Sequence, residues 1–321
     1  MRWVKRVILG LAVLFILGLT FQKWSEFRDT KRVIPPGKLI SVGDHKLHLW
    51  CIGQSGPTVL MLSGGGTPSV TLYDAQMRIA KFTRVCSYDR TGLGWSDPAT
   101  KPMALADHVS DLEVLLAKGG VQGPLILAPE SMGGLIALAY TRRNPDRVAG
   151  AVFIDASETQ LYFEAVPATV PQFKLKEWLW EIGWRTGIVR LALPYAKPDF
   201  VDRLSPEIQA QFYAIWSRPN HGYFRDFIDI VENTPASDQA VTAAGSWDDK
   251  PVVALRHGKI DGSVLPATEP GWPEAQARLA ALSKRGKVVI ATGVGHMIAE
   301  DAPQLVADTV ESVARRLRVD N

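Results

Sequence analysis

Residues 125–140 read Leu-Ile-Leu-Ala-Pro-Glu-Ser-Met-Gly-Gly-Leu-Ile-Ala-Leu-Ala-Tyr. The apolar run at the start predicts a buried β-strand, and the apolar residues spaced along the second half predict a helix. Ser131 lies at the turn between them, where a hydroxyl stands above the sheet edge beside the free N–H groups of a helix start. This arrangement suits a nucleophilic serine, although a serine that only caps an ordinary helix gives a similar local pattern.

The turn departs from the nucleophile motif Gly-x-Ser-x-Gly at its first position, where the chain has Pro129. Glu130 precedes the serine, and a carboxylate there can change the environment of the hydroxyl. These two departures keep open the alternative that the protein binds a ligand or transmits a signal without turnover.

Composition limits the classes of function. The chain has 321 residues, of which 46% are hydrophobic, so one large α/β domain with an insertion fits its length. A net charge of +3 gives no indication of nucleic-acid binding. The two cysteines form no Cys-x-x-Cys pattern and the six histidines have no His-x-x-x-His spacing. We therefore expect no zinc site and no cofactor.

The N-terminal segment, residues 1–24, predicts a membrane anchor. Val7–Gln22 carries no charge and follows a basic start. A cleaved signal peptide is the alternative, but no Ala-x-Ala cleavage pattern follows the apolar run. Basic residues on both sides leave the orientation open. Because a large domain usually crosses behind such an anchor, we expect a single-pass protein with an extracytoplasmic domain. Residues 25–37, ending in Pro-Pro-Gly, predict a linker.

Short apolar runs alternate with helical patterns over the rest of the chain, which predicts a mostly parallel sheet with helices on both faces. The predicted strands are Leu39–Val42, Lys46–Ile52, Thr58–Leu62, Val85–Tyr88, Leu125–Ala128, Val148–Ile154, Pro251–Leu255 and Lys287–Ala291. Residues 157–246 are rich in large aromatic side chains at helical spacing and interrupt this alternation.

Five motifs occur in a fixed order along these elements: Ser63-Gly-Gly-Gly66, Tyr88-Asp-Arg-Thr-Gly-Leu-Gly-Trp-Ser-Asp97, Glu130-Ser-Met-Gly-Gly134, His257-Gly-Lys-Ile-Asp261 and Gly295-His296. In this order the chain resembles the α/β-hydrolase family, and within it the esterase-like and prolyl-iminopeptidase-like members. The resemblance implies an α/β fold with a mostly parallel eight-stranded sheet. It also implies a core of residues 38–156 and 247–321, with residues 157–246 as a helical cap.

The resemblance further implies a Ser-His-Asp triad in the chain order Ser131, Asp261 and His296. The N–H groups of Gly65 and Met132 would form the oxyanion hole. Asp155, at another strand end, is the alternative acid. His257 is interpreted as a turn or core residue, and the loop after Tyr88 as structural.

In such a fold the strands that carry Cys51 and Cys86 lie side by side and antiparallel. A disulfide bond is conceivable if the two residues are directly opposed. Two buried free thiols are the alternative, and the sequence does not decide between them.

These features predict a membrane-anchored serine hydrolase that cleaves an ester, rather than an amide, through an acyl-serine intermediate. The anchor and the aromatic cap favour a small-molecule substrate with an apolar acyl or aryl group. An iminopeptidase-like hydrolase is the alternative within the family, and it needs an acidic pocket for the substrate amine, with Glu130 and Glu158 as possible sources. The sequence does not predict the oligomeric state.

Overall fold

The structure is a computed structural model that describes residues 2–54, 56–219, 222–239, 247–262 and 264–319. Its centre is an eight-stranded sheet with the strand order β1-β2-β4-β3-β5-β6-β7-β8. The strands are β1 Lys38–Ser41, β2 Lys46–Ile52, β3 Thr58–Leu62, β4 Val85–Tyr88, β5 Leu125–Pro129, β6 Val148–Ile154, β7 Val252–His257 and β8 Lys287–Ala291. The β1–β2 and β2–β4 pairs are antiparallel and the remaining pairs are parallel. The predicted fold class is confirmed.

The α-helices are α1 Arg2–Arg32, α2 Tyr73–Ile79, α3 Leu105–Lys118, α4 Gly133–Arg143, α5 Thr159–Ala165, α6 Val170–Arg185, α7 Ile188–Ala196, α8 Pro206–Trp216, α9 Tyr223–Asn233, α10 Ala236–Gln239, α11 Trp272–Ala280, α12 Ile298–Asp301 and α13 Pro303–Val319.

Both faces of the central strands of the sheet are buried. On β5, Leu125 and Leu127 pack into one apolar cluster with α3 and α4, while Ile126 and Ala128 pack into another with α2 and α13. Successive side chains of a strand point to opposite faces, so a run that is apolar at every position is the pattern expected of a doubly covered strand. Each fully buried leucine contributes about 1.5–3 kcal/mol to this core.

An insertion of helices separates β6 from β7. It contains α5 to α10. Part of it packs with Val70 and Trp95 of the core in one apolar cluster, in which Phe212 packs edge-on against Phe200. This is the segment whose aromatic content predicts a cap over residues 157–246. The end of that prediction, residues 240–246, lies outside the described residues.

The helix α1 extends to Arg32, so residues 25–32 of the predicted linker are helical. These residues contain no proline or glycine, and contacts with the cap hold them. Asp29 pairs with Arg190 of α7 at 2.7 Å, and Gln22 donates to the Ser217 carbonyl at 2.7 Å. The helix is long and apolar enough to cross a membrane, and the described residues bury none of its apolar segment. A signal sequence would have the same length and composition.

The register of β2 and β4 decides between the two states of the cysteines. Cys51 lies directly opposite Cys86 in this antiparallel pair, with 4.0 Å between the Cα atoms. The two residues form a disulfide bond that joins the strands.

Candidate active site

Ser131 lies on a strained turn between β5 and α4. Its φ of 47° is in the left-handed region that most residues avoid. The turn requires small neighbours: a Cβ on Gly133 would come 2.6 Å from the Leu62 carbonyl oxygen, and one on Gly134 would come 2.4 Å from that of Ser157. The glycines therefore let α4 pack close enough to the strands for the hydroxyl to face the cavity above the sheet.

His296 joins the serine to a carboxylate. Its Nε2 lies 3.0 Å from Ser131 Oγ, and its Nδ1 lies 2.6 Å from Asp155 Oδ2. The histidine is in the loop after β8, and the aspartate directly follows β6. Both positions are at the C-terminal edge of parallel strands, which is why residues remote in sequence converge there.

Four hydrogen-bond donors surround the Asp155 carboxylate. Oδ1 accepts from the His257 backbone N–H at 3.0 Å and from Trp272 Nε1 at 2.8 Å, and Oδ2 accepts from the Nδ1 atoms of His257 and His296. Burial by itself raises the pKa of Asp155, but the hydrogen bonds from the two imidazoles outweigh it and lower the pKa to about 2. The group is therefore a carboxylate throughout the neutral range.

The expectation that Asp261 is the partner of His296 is not met, because Asp155 occupies that position. Asp261 is exposed in the loop after β7. Its carboxylate lies against the backbone of Gly295, since a Cβ on that glycine would come 1.6 Å from Asp261 Oδ2. The alternative acid, Asp155, is the one that the fold brings to the imidazole. Its φ of 42° turns the chain at the end of β6, a conformation that aspartate tolerates better than most residues.

His257 is a member of the site that the sequence did not identify. Its Nδ1 donates to the same Asp155 oxygen as His296, at 2.7 Å, and its Nε2 lies 3.1 Å from Glu269 Oε1. The hydrogen bond to Asp155 raises the pKa of His257, with burial acting against it. Asp155, His257 and His296 also bring their ligand atoms within 4.8 Å of one another, as a metal site would. The hydrogen bonds among them account for this cluster without an ion.

The loop that contains Gly65 is held by a buried ion pair. Arg90 donates to the carbonyls of Ser63 and Gly64 at 2.7 and 2.6 Å, and it pairs with Asp226 of α9 at 2.5 Å. Asp226 also accepts the Gly66 N–H at 2.9 Å. The loop after Tyr88 thus has the structural role expected of it, whereas Asp226 had no signal in the sequence.

The predicted oxyanion residues flank the serine. Met132 follows it in the chain, and the glycine loop approaches from β3: a Cβ on Gly64 would come 3.2 Å from Ser131 Cβ. Within the described residues, no backbone carbonyl accepts the N–H of Gly65 or Met132. Gly65 also lines the cavity beside Ser131.

Ser131 and His296 open into a cavity of about 250 Å³ between the sheet and the cap. Most of its wall is apolar, and much of it comes from the cap and from the loops after β7 and β8: Tyr162, Val166, Phe173, Tyr223, Phe224, Phe227, Val264, Leu265, Trp272 and Met297.

Comparison with known proteins places the chain in a family. The model of the alpha/beta hydrolase family matches residues 59–309. The chain belongs to the alpha/beta hydrolase family.

Within this family, the chain is 29% identical over 188 residues to an uncharacterised protein of Schizosaccharomyces pombe, a match that covers 49% of this chain and 34% of that protein. It is 32% identical over 103 residues to a haloalkane dehalogenase of Mesorhizobium japonicum, which covers 32% of this chain and 33% of the dehalogenase. The chain thus spans about a third of the length of these relatives. A thermophilic esterase of Thermogutta terrifontis has a similar fold, with a TM-score of 0.60 and 19% identity over 88% of this chain and 99% of the esterase.

Glu130, the residue directly before Ser131, is a buried carboxyl. It is 2% exposed and lies beside Glu300, which is equally buried. Burial and the second carboxyl raise the pKa of Glu130 well above its ordinary value, and burial raises that of Glu300 to about 7. Glu130 Oε1 has no hydrogen-bond partner among the described residues. Both effects disfavour the charged form of Glu130, the residue beside the serine.

Proposed function

We propose that this protein is a serine hydrolase that cleaves a carboxylic ester through an acyl-serine intermediate. The proposal depends on one observation: His296 lies within hydrogen-bond distance of both Ser131 Oγ and the Asp155 carboxylate. His296 Nε2 takes the proton of the hydroxyl as Oγ attacks the acyl carbon. The same proton then passes to the alkoxide oxygen, and the alcohol leaves.

A water molecule completes the cycle. His296 removes one of its protons while the oxygen attacks the acyl-serine, and the returning proton restores the Ser131 hydroxyl as the acid leaves. Asp155 orients the imidazole and stabilises its positive charge. The N–H groups of Gly65 and Met132 bind the oxyanion of each tetrahedral intermediate, and one such donor is worth about 3 kcal/mol.

Acyl transfer fits this site better than halide displacement, the reaction that the name of the haloalkane dehalogenase relative implies. If Ser131 displaced a halide from an alkyl carbon, the product would be an ether. An ether has no polarised carbonyl for water to attack, so the enzyme would stop after one cycle. An acyl-serine, in contrast, is hydrolysed by the machinery that formed it.

The surroundings favour an ester over a peptide with a free amine. Of the two acidic side chains considered as amine partners, Glu158 pairs with Arg278 at 2.7 Å and accepts the N–H groups at the start of α5. Burial and the neighbouring Glu300 carboxyl raise the pKa of Glu130, which disfavours the charged form that an amine partner would need. The apolar wall suits an acyl or aryl group, and a cavity of about 250 Å³ suits a small one.

We propose that the hydrolase is a single-pass membrane protein with its catalytic domain outside the cytoplasm. The apolar helix α1 supports the anchor. The disulfide bond between Cys51 and Cys86 supports an oxidising compartment.

A substrate panel tests the proposal. The full chain in detergent is assayed with p-nitrophenyl esters of increasing acyl length and with aminoacyl-naphthylamides. We expect turnover of the shorter esters, its loss in Ser131→Ala, and normal turnover in Ser110→Ala, which changes a hydroxyl on the exposed face of α3. Hydrolysis of the naphthylamides alone would favour the iminopeptidase-like alternative, and no hydrolysis of any substrate would favour a binding protein.

A further inference from the structure

The cap carries an apolar surface that the described residues of the protein do not cover. On α6, Leu175, Trp178, Leu179 and Ile182 follow one another at helical spacing and are all exposed. On α7, Ile188, Leu191 and Tyr195 continue the surface, and Tyr195 is 92% exposed. We call these seven side chains the apolar cap face.

The charges near this face are turned away or paired. Arg190, the one charged residue of α7, binds Gln22 and Asp29 of α1 at 3.1 and 2.7 Å. On α6, Lys174 pairs with Glu232, Glu177 with Arg225, and Glu181 with Arg185. Lys176, the remaining charged residue of α6, lines the cavity beside Ser131. An apolar surface of this size is costly to leave in water.

The membrane helix passes directly beside the cap face. A Cβ on Gly18 of α1 would come 2.7 Å from the Thr186 carbonyl oxygen, and one on Gly187 would come 2.8 Å from Phe21. Thr186 and Gly187 join α6 to α7. The cap thus contacts α1 within its uncharged segment, roughly 6 Å towards the N-terminus from Gln22.

The length of the uncharged segment of α1 determines how far the bilayer extends along this helix. Its uncharged segment, Val7–Gln22, spans roughly 24 Å as a helix, whereas the hydrocarbon core of a bilayer is about 30 Å thick. A bilayer centred on this segment therefore reaches at least to Gln22, and so to the loop between α6 and α7. A bilayer covers both the uncharged segment of α1 and the apolar cap face. A second copy of the chain on the cap face would cover that face alone.

We infer that the apolar cap face of α6 and α7 docks into the lipid–water interface of the membrane that α1 spans. Trp178 and Tyr195 are side chains of the kind that favour this interface. Because α6 also supplies Phe173 and Lys176 to the lining of the cavity, one helix faces both the membrane and the candidate active site.

The experiment measures the depth of the cap face in the full chain. Both native cysteines are in the disulfide bond, so a single introduced cysteine can be labelled with an NBD fluorophore. Leu191→Cys places the label on the cap face. Gln122→Cys is the matched control, because it is exposed in the loop before β5, at the opposite edge of the sheet from the cap. Each protein is placed, one copy per disc, in lipid nanodiscs with doxyl groups near the headgroup end of the acyl chains.

We expect the Leu191 label to have blue-shifted emission, at least a twofold loss of fluorescence to doxyl lipid, and protection from aqueous iodide. The Gln122 label should show the reverse. Equal quenching of both labels by iodide would overturn the inference, as would a blue shift that appears only in discs with two copies. Leu179→Cys repeats the measurement on α6, so that a local defect at one site does not decide the result.

Discussion

At the residue scale, the unusual feature is that two imidazoles share one carboxylate oxygen. His257 and His296 both donate to Asp155 Oδ2, and Trp272 and a backbone N–H hold the other oxygen. The carboxylate therefore cannot rotate without breaking several hydrogen bonds. His257, itself in contact with Glu269, acts as a positioning residue that holds the acid in place for His296.

The first prediction separates the two candidate acids. Asp155→Asn should lower kcat/KM on an ester about a thousandfold or more, because the amide no longer orients the imidazole or stabilises its charge. Asp261→Asn should lower it less than threefold, since the Nδ1 atom of His296 is bound by Asp155. Thermal unfolding of both variants controls for misfolding. A large loss in Asp261→Asn with a folded, active Asp155→Asn would restore the acid expected from the sequence.

The second prediction concerns the free energy of unfolding at acid pH. The pKa of Asp155 is lowered from 3.8 to about 2, so its charge stabilises the folded state above about pH 4. This contribution, roughly 2 kcal/mol, is lost as the pH falls from about 4 to 2. Chemical unfolding in one detergent at pH 5 and pH 3 should show a smaller loss for Asp155→Asn than for the wild type. Because other buried carboxylates affect both proteins alike, subtracting the two changes in the free energy of unfolding isolates Asp155. Equal losses in the wild type and in Asp155→Asn would refute the prediction.

The sequence singles out Ser131 and His296 for this candidate site, but it favours Asp261 as the acid and gives Asp155 only as the alternative. Ser131 and His296 lie in turns whose glycines and flanking strands leave a local pattern. Asp155 and Asp261 both follow a strand, and only the path of the chain after β6 and β7 determines which carboxylate meets the imidazole. His257 opens one of the five motifs, but its contact with Asp155 is tertiary, and no local pattern marks Glu269 or Asp226.

At the scale of elements, the strands were predictable because burial on both faces leaves continuous apolar runs. The predicted bounds of β2, β3, β4, β6 and β8 match the structure. For β7 the sequence predicts Pro251–Leu255, whereas the strand is Val252–His257, and the backbone N–H of His257 donates to Asp155. The helical part of the expected linker, residues 25–32, depends on contacts with the cap that lie far away in sequence.

The third prediction concerns the ion pair that joins α9 to the glycine loop. Asp226→Ala leaves the buried Arg90 without its partner and should cost about 3–5 kcal/mol in the free energy of unfolding. Glu232→Ala is the matched control on the same helix: its pair with Lys174 is exposed, so the cost should be at most about 1 kcal/mol. Denaturant midpoints measure both, and equal costs would contradict the role given to the pair.

Turnover gives a second measurement for the same variants. Because Asp226 and Arg90 fix the loop of Gly64 and Gly66, Asp226→Ala should also lower kcat, while Glu232→Ala should not. Normal kcat in a folded Asp226→Ala protein would show that the loop does not need this support.

At the scale of the whole molecule, the fourth prediction concerns the disulfide bond and the compartment. Cys51 and Cys86 close a loop of 35 residues, and loss of such a bond typically costs about 2–4 kcal/mol. Cys51→Ser with Cys86→Ser should therefore unfold at lower denaturant than the wild type. Alkylation of membranes from the native host, with and without reductant and followed by mass spectrometry, tests export. Two thiols that react without reductant would contradict an extracytoplasmic domain.

We assign Ser131 as the nucleophile, and His296 and Asp155 as the residues that activate it. A fluorophosphonate probe on the full chain, followed by peptide mapping, tests this assignment most directly, because the probe forms a stable adduct only with an activated serine. We expect one adduct, on the peptide that contains Ser131, with labelling abolished in His296→Ala and strongly slowed in Asp155→Asn. An adduct on another serine, or none on the folded wild-type protein, would contradict it.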